Sequence, residues 1–557
     1  MSDPDAGDAF TYERVQQSLD PEMRAATTVA DVVETAARRW PDERYVTDAT
    51  TDTSATYREV NERADEVAAA LARAGVEPGD HVGLYLENSL AYVAGIYACA
   101  KLGAVQTPIN WQYREREVRH AVDTANVAAV LVQPAPDYLA ILDAVLPGFE
   151  DCDTVVVHDE TAGTVRDVEG ADTHRLSALV DAADGTAPSP DVAAEDPVSI
   201  LYTSGTTGLP KPAVHSNESY LLSAKSFLGV PLRADDVNYN PFPLFHANNQ
   251  CYGMLAKALH GSEWVFADSF SGSAFFDHVA EYGVTSFNVL GGVVQMLRAA
   301  YEDRSVPATD LELAIGPIGT EQWRPFEEEF GVDVVQLYSQ TENPVLLVNH
   351  PALDARRHGA IGKPMFPDLG HEAKVVDEDG EEVPVGETGE LIRTDVGAML
   401  GYLDRPEKTA ETLRDGWLYS GDVARADADG FFYYVDRKKF MVRRAGENIS
   451  AREVENVVDE LPGVEASAVV PVPDDVFGEV VKVLVKRTGD VSEADVVLQV
   501  GRELAAYKVP RYVEFVDDFP RTPSERIQRV ALAGEEAERD DHGWDRDRDL
   551  PDWEARV

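Results

Sequence analysis

The chain has little cysteine and few long apolar runs. Its three cysteines among 557 residues, Cys99, Cys152 and Cys251, lack the spacing of a metal site or a disulfide framework. This scarcity excludes a disulfide-stapled secreted fold and is typical of a reducing cytoplasm. No apolar run is long enough to cross a bilayer, and the first residues are acidic rather than a basic and apolar leader. We therefore expect a cytoplasmic protein without stable membrane insertion.

Positive charge is also scarce. The 49 Lys and Arg residues face 100 Asp and Glu residues, which gives a formal net charge of −51. The acidic residues are dispersed, with enrichment at the N-terminus and from Gly534 onward. Dispersed carboxylates keep a surface hydrated in very high salt, where screening removes their mutual repulsion. We expect a halophilic protein that loses compactness in dilute buffer, and so negative a field excludes nucleic acid as a partner.

The length and the patterning predict an α/β protein with more than one domain. Strand-like runs at 44–48 and 79–86, with an apolar helix from Leu90 to Leu102, favour a parallel sheet covered by helices. From 361 to 435, short strands between Gly/Asp turns predict a small β-rich subdomain. The segment from Thr161 to Asp196 is weakly patterned, and we interpret it as an exposed excursion.

The last part of the chain predicts a compact α+β domain beyond the charged residues 436–439. Helical patterns at 451–461 and 494–504 flank β-runs at 466–472 and 480–485. The fold class is therefore α/β, with a large first domain rich in parallel sheet and a small last domain.

The most informative segment is ILYTSGTTGLPK at 200–211, in which a strand-like run enters hydroxyl residues and glycines and ends in a lysine. Glycines let backbone N–H groups converge on an anion, hydroxyls add donors, and the lysine neutralises charge. The Walker A spacing is absent. A flexible linker is the alternative, but linkers rarely follow a buried strand. The segment resembles the phosphate-binding signature of the adenylate-forming superfamily, which includes acyl-CoA synthetases, luciferases and peptide-synthetase adenylation domains.

The resemblance assigns this segment to the polyphosphate of ATP, with its first threonine also a ligand of Mg²⁺. The residues concerned are Thr203, Ser204, Gly205, Thr206, Thr207, Gly208 and Lys211.

Two further segments resemble the superfamily in the correct order. The run PLFH at 243–246 is similar to the segment near the acyl carboxylate, which implies a catalytic role for His246. The run QLYSQTE at 336–342 resembles the Y-G-x-T-E element. It implies that Tyr338 lies against adenine, Thr341 contacts phosphate and Glu342 binds Mg²⁺, an ion that prefers carboxylate and phosphate oxygens.

Nucleotide contacts are also implied by two Gly-containing turns. Gly316 and Pro317 resemble the adenine-binding Gly-Ala-Pro loop, although Ile315 stands where a small residue is common. The run YSGD at 419–422 is similar to the motif whose aspartate, here Asp422, binds the ribose hydroxyls, and Arg437 is implied to contact ribose or phosphate.

The resemblance also covers segments that act when the acyl group is transferred to coenzyme A, which is the second half-reaction of the superfamily. Lys439 matches the hinge position, where a few dihedral angles absorb a domain rotation. Gly446, in the run GENI, allows the close backbone approach of a narrow pantetheine tunnel. The sequence of this run is closer to that of carnitine/crotonobetaine and medium-chain acyl-CoA ligases than to that of luciferases. The implied domains are an AMP-binding domain at 1–435, a hinge at 436–439 and a C-terminal domain with an acidic tail at 440–557.

One segment departs from the superfamily pattern. The pattern ends in P-x-T-x-S-G-K-[IV], whereas residues 520–527 read PRTPSERI, with Glu525 for glycine and Arg526 for lysine. That lysine bridges the substrate carboxylate and phosphate during adenylation. Arginine keeps the charge, but its planar fork is not a compact ammonium. We expect Arg526 to work as a catalytic variant, with Lys508 as a weaker substitute.

The resemblance implies an ATP-dependent acid–CoA ligase that uses Mg²⁺, with coenzyme A as co-substrate and an acyl-adenylate as intermediate. The catalytic residues would be His246, Lys439 and Arg526. Fatty or medium-chain acids are the default substrate class, with aryl and carnitine-like acids open, and Asn248, Asn249 and residues 290–292 are interpreted as lining the acyl pocket. The alternatives are an acyl-AMP ligase that loads a carrier protein and a nonenzymatic nucleotide-binding paralogue. A homodimer is the commonest oligomeric state for such a protein.

Overall fold

The structure, a computed structural model, falls into two compact units. Unit 1 consists of Met1–Ala373 and Arg393–Tyr419, and unit 2 of Lys374–Ile392 and Ser420–Val557. The described residues are 11–149, 152–160, 163, 165–183, 190–203, 210–230, 235–302, 304–350, 356–438, 441–444, 447–474, 477–504, 506–521, 527–537, 539, 542–553 and 556. Within these ranges, no helix combines the length and the apolar character needed to span a membrane.

The α-helices are α1 (Tyr12–Ser18), α2 (Pro21–Ala25), α3 (Val29–Arg39), α4 (Tyr57–Arg73), α5 (Leu90–Leu102), α6 (Glu115–Thr124), α7 (Pro136–Val145), α8 (Leu176–Ala182), α9 (Asn217–Leu228), α10 (Ala256–His260), α11 (Phe275–Tyr282), α12 (Gly291–Tyr301), α13 (Thr320–Phe330), α14 (Pro406–Thr412), α15 (Ala451–Asp459), α16 (Glu493–Glu503), α17 (Arg529–Ala537) and α18 (Arg546–Asp549). The strands are β1 (Arg44–Asp48), β2 (Thr53–Thr56), β3 (His81–Tyr85), β4 (Val105–Pro108), β5 (Val127–Val132), β6 (Thr154–Val157), β7 (Asp172–Arg175), β8 (Pro197–Thr203), β9 (Lys211–Ser216), β10 (Val237–Tyr239), β11 (Glu263–Phe266), β12 (Ser286–Asn288), β13 (Leu313–Ile315), β14 (Asp333–Gln340), β15 (Asn343–Asn349), β16 (Lys363–Pro364), β17 (Ala373–Val376), β18 (Thr388–Thr394), β19 (Gly401–Tyr402), β20 (Leu413–Arg414), β21 (Trp417–Ala426), β22 (Phe432–Arg437), β23 (Met441–Arg444), β24 (Glu447–Ser450), β25 (Val464–Asp474), β26 (Gly478–Arg487), β27 (Tyr512–Val516) and β28 (Trp544–Asp545).

Unit 1 is built on two large sheets that are mostly parallel. The first has the order β19-β9-β8-β4-β3-β5-β6-β7, in which the β19–β9 and β9–β8 pairs are antiparallel and the other pairs are parallel. The second has the order β16-β15-β14-β13-β12-β10-β11-β1-β2, with antiparallel pairs at its two ends. This architecture confirms the predicted α/β class with parallel-rich sheets.

Helix α5 shows why the sequence folds in this way. It is mostly apolar and buried from Tyr92 to Leu102, as expected of a helix packed inside a layered α/β core. It ends at Gly103, whose left-handed φ of 70° closes the helix at no side-chain cost. The predicted bounds of α5, and those of β1, agree with the structure.

Unit 2 contains a small β-rich part and a C-terminal α+β part. In the first part, β21 pairs with β22 in antiparallel register, which confirms a small β-rich subdomain, while its bounds at 361–435 stay a prediction. The second part has the sheet order β24-β23-β26-β27-β28, with β25 beside β26 and a core dominated by valine. The predicted hinge at 436–439 concerns motion and stays a prediction.

The expected excursion from Thr161 to Asp196 is wrong in its middle part. Strand β7 extends the first sheet of unit 1 in parallel with β6, and α8 follows it at once. Leu176 and Leu179 of α8 are buried in the main core. A four-residue strand at a sheet edge with one short apolar helix face is too brief to give a periodic signal.

Candidate active site

Two antiparallel hairpins of unit 1 carry the predicted phosphate and metal residues. The first consists of β8 and β9, which flank the predicted phosphate loop in the sequence, and Thr203 pairs with Lys211 at the end of the strands. The second joins β14 to β15, with Thr341 and Glu342 in its turn. The hairpins belong to different sheets, and side chains connect them.

Thr203 ends β8 as a buried residue. Its hydroxyl has no hydrogen-bond partner in the described part of the chain, which is a costly condition for a buried polar group. A hydroxyl in this state at the mouth of the loop suits an oxygen-rich ligand. The rest of the loop lies outside the described residues, and with it the predicted ligands Ser204, Gly205, Thr206, Thr207 and Gly208.

Lys211, Tyr402 and Glu342 form a continuous series of contacts beside Thr203. The Lys211 ammonium lies over the Tyr402 ring, 4.0 Å from its centroid. The Tyr402 hydroxyl donates to Glu342 Oε1 at 2.6 Å. Burial lowers the pKa of the Lys211 ammonium, and the Glu342 carboxylate opposes that shift. A cation and a carboxylate therefore lie close together, each in contact with the same tyrosine.

His215, fully buried on β9, holds the turn of the second hairpin. Its Nε2 lies 2.8 Å from the Thr341 carbonyl oxygen and therefore carries the proton, while Nδ1 lies 3.3 Å from the Ser219 hydroxyl. Burial lowers the pKa of His215 to about 4, although the bond to Thr341 opposes the shift. The imidazole is neutral near pH 7 and acts as a fixed link between β9 and the turn.

Replacing His215 with glutamine is expected to reduce the loss of stability in acid, because the amide keeps a neutral donor but takes no proton. Between the unfolded pKa of 6.5 and the folded pKa of about 4, the unfolded chain binds a proton that the folded chain excludes. Stability therefore falls as the pH decreases through this window, by about 2 kcal/mol between about pH 7.5 and pH 5. Urea unfolding of both proteins in molar KCl measures the difference. Parallel pH dependences would contradict the account.

The predicted adenine side of the site rests on Tyr338 and a buried arginine. Tyr338 is half-buried near the end of β14, and the Arg393 guanidinium lies 5.4 Å from its ring centroid. Arg393 is fully buried and donates to the carbonyls of Val345 at 2.8 Å and Asn343 at 2.7 Å. The tyrosine and the second hairpin are therefore held by one guanidinium.

Gly316 follows β13 in a conformation that only glycine adopts readily. Its φ is 153°, and a Cβ at this position would lie 1.9 Å from the Val289 carbonyl oxygen. Its N–H donates to the Val335 carbonyl at 2.9 Å. Pro317 comes next and is exposed, and Gln336 bonds both the N–H and the carbonyl of Ile318. The loop that the sequence assigns to adenine is therefore tightly fixed.

His246, the predicted acyl-side residue, is exposed and lies just before a π-helix, Asn248–Leu255. Its ring is 4.4 Å from that of Phe245. Because π-helical turns concentrate at functional sites, this position agrees with a binding role. Gly291 and Gly292 begin α12, and a Cβ on either would meet no described atom within 4 Å. Their place in the lining of the acyl pocket stays a prediction.

The asparagines of the π-helix are engaged with the scaffold. Asn248 Oδ1 accepts hydrogen bonds from the amides of Asn240 and Asn288, each at 3.0 Å. Asn249 is fully buried and donates to the Phe242 carbonyl at 2.5 Å. These contacts fix the start of the π-helix, so a direct role for either amide in binding the acid is not needed to explain its presence.

Unit 2 places two predicted nucleotide residues opposite each other. Asp422 on β21 is the register partner of Arg437 on β22, and Asp422 Oδ1 lies 2.6 Å from Arg437 Nε. Asp422 is almost completely buried, whereas Arg437 is about one-third exposed. Next to them, Asp436 accepts hydrogen bonds from the Ser450 hydroxyl and the Arg452 N–H, each at 3.0 Å.

Three predicted residues, Lys439, Gly446 and Arg526, lie outside the described residues. The described ranges contain no group of three or more His, Cys, Asp and Glu side chains that could hold a metal. Mg²⁺ does not need one, because it commonly binds one or two carboxylates together with substrate phosphates and several waters. The Glu342 carboxylate fits this ion, and so does the Thr203 hydroxyl, which has no hydrogen-bond partner among the described residues.

Sequence reasoning missed three residues that organise the site: Tyr402, His215 and Arg393. Each reaches its partner from a distant part of the chain, 60 residues for Tyr402 and Glu342 and 126 for His215 and Thr341. The available signal was a histidine on the strand that follows the phosphate loop, but no local pattern identifies its partner.

Residues 33–403 of the chain match the family described as AMP-binding enzyme. Residues 453–526 match the family described as AMP-binding enzyme C-terminal domain. It is 34% identical to feruloyl-CoA synthase from Amycolatopsis sp over 482 residues, which are 85% of this chain and 92% of the relative. It is 30% identical to crotonobetaine/carnitine–CoA ligase from Citrobacter koseri over 488 residues, which are 86% of this chain and 92% of that relative. The chain is also similar to the crystal structure of ATP-bound MatB from Rhodopseudomonas palustris, with a TM-score of 0.80 and 26% sequence identity. The superposition covers 91% of this chain and 98% of the MatB chain.

Proposed function

The chain belongs to the AMP-binding enzyme family, and from that premise we propose that it is an ATP-dependent, AMP-forming acid–CoA ligase. The observation that carries the proposal is the arrangement of Lys211, Tyr402 and Glu342 beside Thr203, the register partner of Lys211. A cation, a carboxylate and a hydroxyl at the ends of two hairpins are the groups that a magnesium polyphosphate requires.

In the first half-reaction, an oxygen of the substrate carboxylate attacks the α-phosphorus of ATP. The bond from that phosphorus to the oxygen that bridges to the β-phosphate breaks, and pyrophosphate leaves with an acyl-adenylate remaining. Lys211 and the phosphate loop hold the β- and γ-phosphates, and Tyr338 and the Gly316 loop hold adenine. Catalysis comes from positioning and from neutralisation of the charge that develops on the leaving pyrophosphate.

Mg²⁺, when bound, supplies charge stabilisation at the phosphate oxygens. Glu342 and Thr203 are the residues proposed to hold it. Asp422 is proposed to accept hydrogen bonds from the ribose hydroxyls, with Arg437 at ribose or phosphate. The Arg437 guanidinium already holds the Asp422 carboxylate in place.

In the second half-reaction, the thiol sulfur of coenzyme A attacks the acyl carbon of the adenylate. The bond from that carbon to the phosphate oxygen breaks, AMP leaves, and the thiol proton passes to solvent. A rotation about residues 436–439 is proposed to bring Gly446 to the thiol channel. Exclusion of water is essential throughout, because the mixed anhydride hydrolyses readily.

The relatives support free coenzyme A as the acceptor. Both curated relatives reported above are CoA ligases, and this chain covers 92% of the length of each. Their acids differ, one being ferulate and the other crotonobetaine or carnitine. We propose a small carboxylic acid as the substrate of this chain, with a fatty or medium-chain acid as the first candidate and aryl and carnitine-like acids also to be tested.

Pyrophosphate release tests the proposal directly. The protein is assayed in molar KCl, because a net charge of −51 is proposed to require strong screening, with ATP, Mg²⁺ and a panel of these acids. Each acid is tested with and without coenzyme A. Acid-dependent release together with an acyl-CoA product is the expected result. ATP binding without release for any acid would favour a nonenzymatic nucleotide-binding protein.

Arg526 variants test the departure from the superfamily pattern. If arginine fills the role of the usual lysine, Arg526→Ala is expected to lower release by about 10²-fold, the loss typical when one electrostatic partner of a transition state is removed. Arg526→Lys is expected to retain or increase the wild-type rate. Equal rates for the wild type and Arg526→Ala would show that another cation, with Lys508 the first candidate, serves adenylation.

A further inference from the structure

We propose that Tyr402 is a positioning residue that separates the charges of Lys211 and Glu342 and directs each of them to the magnesium nucleotide. The inference rests on the proposed function, which assigns Lys211 to the polyphosphate and Glu342 to the metal. Tyr402 lies in none of the segments that indicated a site in the sequence, and its role follows from its contacts alone.

The ring of Tyr402 is placed as a spacer between opposite charges. One face of the ring receives the Lys211 ammonium at 4.0 Å, and the hydroxyl at its edge holds Glu342 Oε1 at 2.6 Å. Among the described residues, no ion pair within 4.0 Å joins Lys211 to Glu342, although the carboxylate acts on the pKa of the ammonium. The two charges are near enough to interact and are kept from contact.

The backbone around Tyr402 fixes the ring in this place. Strand β19 pairs with β9, so that Tyr402 lies opposite Ala213 on the strand that begins with Lys211. The Met399 N–H donates to the Glu342 carbonyl at 2.8 Å, which ties the same segment to the turn of the second hairpin. Tyr402 is only 5% exposed. The spacer is therefore attached to both hairpins that it serves.

This arrangement prepares the site for its ligand at low cost. A cation over an aromatic face keeps its charge available to a phosphate, and a carboxylate that accepts one hydroxyl proton keeps lone pairs for a metal. Without the ring, Lys211 and Glu342 would close into a direct ion pair. Magnesium ATP would then have to break that pair before it could bind, and the site would lose its preorganisation.

Two substitutions separate the two contacts. Tyr402→Phe keeps the ring under Lys211 and removes only the hydroxyl from Glu342. Tyr402→Leu removes both. The readout is the Kd of a fluorescent ATP analogue in molar KCl, measured with and without Mg²⁺ and with no acid present. We expect Tyr402→Phe to weaken binding about 10-fold only when Mg²⁺ is present, as for loss of a group that orients a metal ligand.

Tyr402→Leu is expected to weaken binding about 10-fold also without Mg²⁺, because the new ion pair neutralises Lys211. Adding Glu342→Gln to Tyr402→Leu is then expected to restore the Mg²⁺-free Kd to near the wild-type value. A merely structural role for Tyr402 predicts instead the same loss with and without Mg²⁺ for both variants and no rescue. That outcome would overturn the proposal.

A matched control is available in unit 1. Tyr138 also donates its hydroxyl to a glutamate, Glu87, at 2.5 Å, and neither residue is among those assigned to the nucleotide. Tyr138→Phe is expected to leave both Kd values unchanged. If the wild type itself shows no Mg²⁺-dependent binding of ATP, the proposed function fails. If the wild type binds and the Tyr402 variants bind equally well, only the role of Tyr402 fails.

Discussion

Replacing Glu342 with glutamine is expected to lower acid-dependent pyrophosphate release by about 10² to 10³-fold. Glutamine preserves the size of the side chain and can still accept the hydrogen bond from Tyr402, so the turn keeps its shape. It loses the negative charge that is proposed to hold Mg²⁺ against the phosphates. The rate with saturating acid and ATP, measured over a range of Mg²⁺ concentrations, checks the prediction, and the Mg²⁺ requirement should shift upward.

The control for this variant is Glu66→Gln. Glu66 is an exposed residue of α4 paired with Arg63 on the helix surface, and such pairs contribute little to stability. It is expected to release pyrophosphate at the wild-type rate. Wild-type activity and an unchanged Mg²⁺ requirement in Glu342→Gln would remove Glu342 from the metal site.

Replacing Gly316 with alanine is expected to give the largest loss of stability at the site. The new Cβ would meet the Val289 carbonyl oxygen at 1.9 Å, and a φ of 153° is strained for any residue with a side chain. Steric overlap and backbone strain together are expected to cost about 2 to 5 kcal/mol of unfolding free energy. Relief of the clash must move the loop that is proposed to hold adenine, so ATP should also bind more weakly.

The Gly331→Ala variant separates the effect of backbone strain on stability from the effect of steric overlap. Gly331 ends α13 with a φ of 67°, but a Cβ there would meet no described atom within 4 Å. Its substitution is expected to cost only about 1 kcal/mol and to leave ATP binding unchanged. Denaturant unfolding and nucleotide binding of both variants make the comparison. Equal losses in the two variants would show that the contact between Gly316 and Val289 has no special importance.

Local sequence patterns were sufficient to predict much of the fold. The mostly apolar character of residues 90–102 and the glycine that follows predicted α5 with its correct bounds, because both signals lie within one short segment. The strand β7 and helix α8 were missed because each is short and β7 lies at the edge of its sheet. Their structure depends on neighbours such as β6, which the local sequence does not contain.

In the site, too, residues within local motifs could be predicted from the sequence, whereas a residue brought in from a distant segment could not. Sequence motifs indicated Lys211 and Glu342, since each lies in a run of characteristic residues. They did not indicate Tyr402, which joins these two side chains only because β19 returns to pair with β9. The residues proposed to bind the nucleotide were visible in the sequence, whereas the residue that contacts both of them required the structure.

The measurement that tests the central claim most directly is a single-turnover chase. The protein in molar KCl is mixed with ATP, Mg²⁺ and the best acid of the panel without coenzyme A, and coenzyme A is added after the acyl-adenylate has formed. We predict that acyl-adenylate and pyrophosphate first accumulate to the concentration of the protein, and that the chase converts the adenylate to acyl-CoA and AMP. Bound ATP that remains intact with every acid, in the wild type and in Arg526→Lys, would contradict the account.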